Sequence, residues 1–242
     1  MSELGSQLAL NIPSLASLRT WSAGEQYFGV YYVGMKYYFA ISPKSLEDTL
    51  ISESKRLMKE VYGKEVEKIY YRVKTKDRLD NPRRLFIKGD GRVLEAEVKP
   101  HISLVQNIEL ENINDFAEKA KEICGRYDTI NLEFIGVGNY DMDFTFFVKF
   151  KNVPSLEKLR SELLELSKPF LSDEEYKQHL DVGYVPHATV LYDDIDPEKV
   201  TRAYKLLDVG KFKKPILVQE ILLWEVTASD QKIVARLPMR GK

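Results

Sequence analysis

A single cysteine, Cys124, stands in 242 residues, which excludes an internal disulfide framework and any cysteine-rich zinc site. Histidine is nearly as scarce, with only His101, His179 and His187. No apolar run approaches the roughly 18 residues of a membrane-spanning helix. Residues Met1 to Ser22 also lack the basic-then-apolar order of a cleaved secretion signal. Charge of one sign is missing too: 36 Lys and Arg face 37 Asp and Glu, for a net charge of −1. Wholesale coating of nucleic acid is therefore not the job, and any polyanion site must be a local patch. With 44% apolar and 30% charged residues the composition is not that of a disordered chain. These exclusions leave a soluble, cytoplasmic globular protein, expected as a monomer, with room for one large domain or two small lobes.

Residues 1–26 carry little pattern and read as an N-terminal extension to a domain spanning 27–242. The run from Phe28 to Ile41, rich in Val, Tyr and Phe with a turn candidate at Gly34, is strand or hairpin material. A helix over about 45–62 follows, with Ser45 and Asp48 spaced as a capping box. From Lys64 to Arg92 the chain holds ten Lys and Arg against five Asp and Glu, and reads as a basic insertion closed by a Gly89-Asp90-Gly91 turn. Beyond it the pattern gives a strand through Val105, a helix over 112–125 and strands at 130–138 and 144–150. A leucine-striped helix opens at Pro154, and a strand over 183–192, a helix over 197–207 and a hairpin over 215–238 complete the chain. None of the strands has the long apolar run of a buried parallel sheet, so the expected class is α+β with antiparallel sheets.

Two segments echo each other 86 residues apart: Pro100-His101-Ile102-Ser103-Leu104-Val105 and Pro186-His187-Ala188-Thr189-Val190-Leu191. Both are strand-like and both lead into a helix. A histidine with this Pro and Ser/Thr setting arises by chance with a probability of about 0.4%, and two among three on the order of one in 10⁴. The duplication implies two strand–helix lobes related by a pseudo-twofold axis.

Alternation along a strand places His101 with Ser103, and His187 with Thr189, on one face. Two imidazoles and two hydroxyls lining one cleft suit displacement at phosphorus. One neutral ring takes a proton from the attacking oxygen, the other protonates the leaving oxygen, and the hydroxyls steady the nonbridging oxygens. An unperturbed pKa near 6.5 allows one ring of each kind near neutral pH, and no metal or cofactor is required.

Paired H-x-[ST]-hydrophobic motifs on duplicated strands resemble the 2H (two-histidine) phosphoesterase superfamily, which includes 2′,3′-cyclic nucleotide phosphodiesterases and 2′-5′ RNA ligase-like proteins. The resemblance runs from about Tyr37 to Leu237. The stretch Tyr184 to Tyr192 is similar to the second motif of the plant and fungal cyclic phosphodiesterases. It implies a two-lobed fold around a central cleft, with His101 and His187 as the acid–base pair and Ser103 and Thr189 as phosphate-binding hydroxyls. The implied substrate is a nucleotide or RNA end carrying a 2′,3′-cyclic phosphate, opened without metal. The arginine that ligase-like members often carry after the second motif is absent here, and Tyr192 stands near that place. Cleavage of 3′,5′-linked cyclic oligonucleotides, a 2′-5′ RNA ligase-like role and a non-catalytic RNA-binding module are the alternatives, besides an α+β domain with no such cleft.

Tyr140, Phe146 and Tyr192 are candidates to stack on a base, Phe146 being equally readable as core. Tyr70 and Tyr71 within the basic stretch could guide an RNA strand, against the plainer reading of a solvated face. His179, in a polar stretch, reads as solvated, Trp224 as core packing and Cys124 as a buried filler.

Overall fold

The computed structural model describes residues 36–62, 99–140, 145–181, 183–192, 197–226 and 231–241. The expected N-terminal extension, the Gly34 turn and the basic insertion with its Gly89-Asp90-Gly91 turn lie outside the described residues. Within these, nine strands and five α-helices follow one another. They are β1 (Lys36–Ile41), α1 (Glu47–Tyr62), β2 (Ile102–Ile108), α2 (Ile113–Cys124), β3 (Ile130–Leu132), β4 (Phe134–Tyr140) and β5 (Thr145–Phe150). The series continues with α3 (Pro154–Ser167), α4 (Asp173–Asp181), β6 (His187–Tyr192), α5 (Pro197–Leu206), β7 (Ile216–Val218), β8 (Glu220–Val226) and β9 (Gln231–Pro238).

All of the strand pairs within the sheets are antiparallel, as the lack of continuous apolar strands implied. One sheet has the order β2-β1-β8-β9, a second β4-β5-β6, and a two-stranded piece joins β3 to β7. Each motif strand thus lies at a sheet edge beside a partner of matching position, β2 beside β1 and β6 beside β5. That is the pseudo-twofold arrangement expected from the repeat.

The helices cross over between the halves. Helix α1, which follows β1 of the first sheet, packs on β6 of the second and beside α5. Helix α3, which follows β5 of the second sheet, packs on β2 of the first and beside α2. Leucines at helical spacing drive both: Leu46, Leu50 and Leu57 on one side, and Leu156, Leu159 and Leu163 on the other, are all at most 1% exposed. They merge with Phe39, Ile102, Phe146, Val148 and Ala188 into one apolar core. Cys124 sits fully buried in it, as expected, and burial pushes its thiol up to about 12.

The expected capping box is not formed. A 3₁₀ turn over Lys44–Leu46 precedes α1, and the Ser45 hydroxyl donates instead to the Pro215 carbonyl at 3.4 Å. The turn needs no side-chain cap because its own backbone bond, Leu46 N to Pro43 O at 2.8 Å, closes it. Among the described residues no helix is long and apolar enough to cross a membrane.

Candidate active site

The two motif strands meet where the sheets approach one another, β2 against β6. Alternation sorts their side chains cleanly. Ile102 and Leu104, and likewise Ala188 and Val190, are buried in the core, while His101, Ser103, His187 and Thr189 stand half-buried on the opposite face.

Both histidines are held the same way. Nδ1 of His101 donates to the carbonyl of Lys99 at 2.8 Å, and Nδ1 of His187 donates to the carbonyl of Val185, also at 2.8 Å. A carbonyl can only accept, so in each neutral ring the proton sits on Nδ1 and Nε2 carries the lone pair. An aromatic ring from the neighbouring strand walls each imidazole. Tyr38 of β1 lies 5.3 Å from His101 at 48°, and Phe147 of β5 lies 4.6 Å from His187 at 47°. The repeat therefore extends from sequence to side-chain environment. Burial lowers the pKa of His187 below the ordinary histidine value, and the Val185 carbonyl offsets part of the shift.

The hydroxyls differ in their settings. Ser103 pairs with Ala40 across β1, and its Oγ accepts from the amide Nε2 of Gln106 at 2.7 Å. Thr189 pairs with Phe147 across β5. A buried cation ties the two motifs together. Arg160, on α3 and only 8% exposed, donates through Nε to the Leu104 carbonyl at 3.0 Å and through Nη2 to the His179 carbonyl at 2.9 Å. Its guanidinium lies 4.5 Å over the ring of Tyr184, whose hydroxyl donates to the Ser103 carbonyl at 3.0 Å. The first motif is thus bolted to the lead-in of the second.

The profile of the 2′-5′ RNA ligase superfamily matches residues 81–230, more than half of the chain. The chain belongs to this superfamily, that of the two-histidine phosphoesterases. This two-histidine phosphoesterase is also similar to several solved structures. TT0787 of Thermus thermophilus matches at 12% identity with a TM-score of 0.51, over 86% of this chain and 99% of that one. E. coli LigT complexed with 3′-AMP matches at 14% identity and a TM-score of 0.43, over 85% and 98%. Kluyveromyces marxianus Usb1 with uridine monophosphate matches at 10% identity and 0.38, over 84% and 97%. A comparison with curated proteins finds none that matches. Membership places this two-histidine phosphoesterase in a superfamily of phosphoesterase and ligase-like chemistry.

Two sequence expectations at the site need correction. Phe146 is fully buried in the core, edge-on to Tyr204 at 4.9 Å, so it is no base-stacking platform. A register shift between Phe146 and Phe147 against β6 leaves Phe147 as the ring beside His187. His179 is not solvated: α4 places it half-buried with Nε2 3.3 Å from both the backbone N and O of Gln106 and Nδ1 3.5 Å from Arg160. Trp224 is packed and buried as expected, but on the other face of the first sheet from the main core. There it stacks on Tyr38 at 6.0 Å in a small cluster with Ala40 and Leu222. Tyr140 and Tyr192 occupy register positions on either side of Thr145 at the ends of β4 and β6.

Sequence reading missed Gln106, Arg160, Tyr184 and Phe147. Tyr184 had a signal, as part of the Tyr184 to Tyr192 similarity. An arginine on the leucine stripe of α3 could have been noticed as a cation on an apolar face.

Proposed function

We propose that this phosphoesterase opens 2′,3′-cyclic phosphates on RNA ends or small nucleotides by metal-independent acid–base catalysis between His187 and His101. The observation that supports the reading is the matched pair of Nδ1–carbonyl bonds, which puts the lone pair of each neutral ring on Nε2, the atom that would exchange the proton. His187 takes the role of base, because burial keeps its ring neutral near pH 7. Its Nε2 removes a proton from water as the water oxygen attacks phosphorus. The imidazolium of His101 gives its Nε2 proton to the departing ribose oxygen, so that one water is consumed and a phosphate monoester remains. Ser103 and Thr189 donate to the nonbridging oxygens as negative charge accumulates on them. With its lone pair engaged by Gln106, the Ser103 hydroxyl has its proton left to give.

The test is turnover of a nucleoside 2′,3′-cyclic phosphate in EDTA. Activity should persist, and His101→Ala or His187→Ala should each lower it by roughly 10² or more. Activity that disappears on chelation, or survives both substitutions, refutes the mechanism.

A further inference from the structure

The second sheet carries a cation beside the candidate centre that the two-histidine reaction does not use. Lys149 of β5 is the direct antiparallel partner of His187, and paired residues share a face of the sheet. Lys149 is half-buried, and it makes no ion pair or hydrogen bond among the described residues. A lysine packs its stem along the sheet and keeps its charged end towards water, and an ammonium with no ion pair among the described residues is available to a visiting anion.

The course of its side chain says where that anion would sit. On the far side of β5, strand β4 presents Gly136 and Gly138 opposite Lys149 and Phe147. A Cβ on Gly138 would lie 2.6 and 2.8 Å from Cε2 and Cζ of Phe147 and 3.3 Å from Cδ of Lys149, and one on Gly136 would lie 3.9 Å from Cε of Lys149. The ring and the lysine stem therefore lie flat over bare backbone, in space that any side chain on β4 would take. Gly136, at φ +143°, holds a conformation other residues rarely adopt. The stem thus leads away from β6, and two strand spacings put the end of Lys149 roughly 10 Å from the strand of His187. That is too far for the phosphorus under attack. One nucleoside can span it.

We propose that Lys149, laid across the Gly136–Gly138 floor, is a second phosphate subsite that takes the 5′-phosphate of the nucleotide whose 3′ end is being processed. The proposal rests on the cyclic-phosphate reading above for the location of the first phosphate. It deepens that reading, since a nucleotide phosphorylated at both ends is what the last residue of an RNA chain presents.

The test is equilibrium binding to the full-length protein of three unreactive probes at low salt: a nucleoside 3′-phosphate, the same nucleoside 3′,5′-bisphosphate, and a dinucleotide ending in a 3′-phosphate. In the parent the second phosphate should improve affinity about tenfold, the size of one hydrogen bond to a charged group. Lys149→Met should collapse the bisphosphate-to-monophosphate affinity ratio toward one and Lys149→Arg should keep it, with unchanged thermal melting showing both variants folded. A ratio near one in the parent, or one that survives Lys149→Met, overturns the subsite. If the dinucleotide shares the gain, the ligand is an RNA end. If only the bisphosphate gains, the subsite serves small nucleotides. Absence of cyclic-phosphate turnover, with the ratio still dependent on Lys149, would defeat the catalytic reading and leave the subsite standing.

Discussion

Replacing Arg160 with methionine removes a side chain that touches both Leu104 of the first motif and Tyr184 in the lead-in of the second, while keeping the apolar stem that fills its place in α3. Two close hydrogen bonds from a charged donor are lost, to Leu104 O at 3.0 Å and to His179 O at 2.9 Å, besides the longer contact with His179 Nδ1 at 3.5 Å. Bonds of this kind contribute about 1.5–3 kcal/mol each. The guanidinium contact with the Tyr184 ring adds about 0.5–2 kcal/mol. Against this loss stands the relief of a desolvated charge, visible in the lowering of the Arg160 pKa by burial. The balance is a destabilisation of about 2–4 kcal/mol. With a urea m-value of about 1–3 kcal/mol per molar, the midpoint should fall by about 1 M or more at constant m. Tyr184→Phe removes the bond to Ser103 O and should cost about 1 kcal/mol. Because Tyr184 lies under the Arg160 guanidinium, the double variant should cost less than the sum of the two. A shift under about 0.5 kcal/mol for Arg160→Met, the size expected of an ordinary surface substitution, would refute the claim that this cation braces the two halves. So would strict additivity with Tyr184→Phe.

Gly138→Ala should destabilise by about 1–3 kcal/mol in a urea titration, since its methyl would overlap the Phe147 ring. It should also lower kcat, because that ring lies 4.6 Å from His187. Gln106→Ala should slow turnover by about tenfold in the parent and leave the rate of a Ser103→Ala variant unmoved, as expected of a residue that acts through the Ser103 hydroxyl. Equal losses in both backgrounds would give Gln106 its own contact with substrate. For pH, burial lowers the pKa of both His179 and His187 below the ordinary 6.5. The native state therefore binds fewer protons than the unfolded chain. Stability from this source is complete above pH 6.5 and is lost as pH falls below it toward the native-state values. Thermal melts at pH 7.5, 6 and 5 should show a progressive fall. For His179→Gln the fall should be shallower, and an identical slope would show that His179 is not titrating out of a buried setting.

The parts of this fold visible in the sequence are those carried by short local patterns. The Pro-His-x-Ser/Thr repeat, with apolar residues at alternate positions, named both motif strands and the face on which their polar side chains stand. The leucine spacing of α3 named its helix and its buried stripe. What could not be read depended on residues far apart in the chain. Whether Phe146 or Phe147 faces His187 turns on a register shift between β5 and β6, which alternation within β5 alone does not reveal. His179 looked solvated because its neighbours in sequence are polar, yet the surface it packs on is β2, 73 positions away. Ser45 had the spacing of a cap, but the chain there forms a 3₁₀ turn and the hydroxyl donates to a carbonyl that the fold brings near. Lys149 reads as an ordinary outward residue of an alternating strand until the glycines of β4 are set beside it.

The crossed placement of α1 and α3 bears on how the molecule can be divided. Each half lends the other the leucine-bearing face that covers its strands, so a chain cut between β4 and β5 would leave two fragments with naked oily sheets. Neither should persist alone in water, and mixed together they should find one another and restore the whole. The same interlock means that two identical ancestral halves could have closed on each other as a symmetric pair before a single chain joined them.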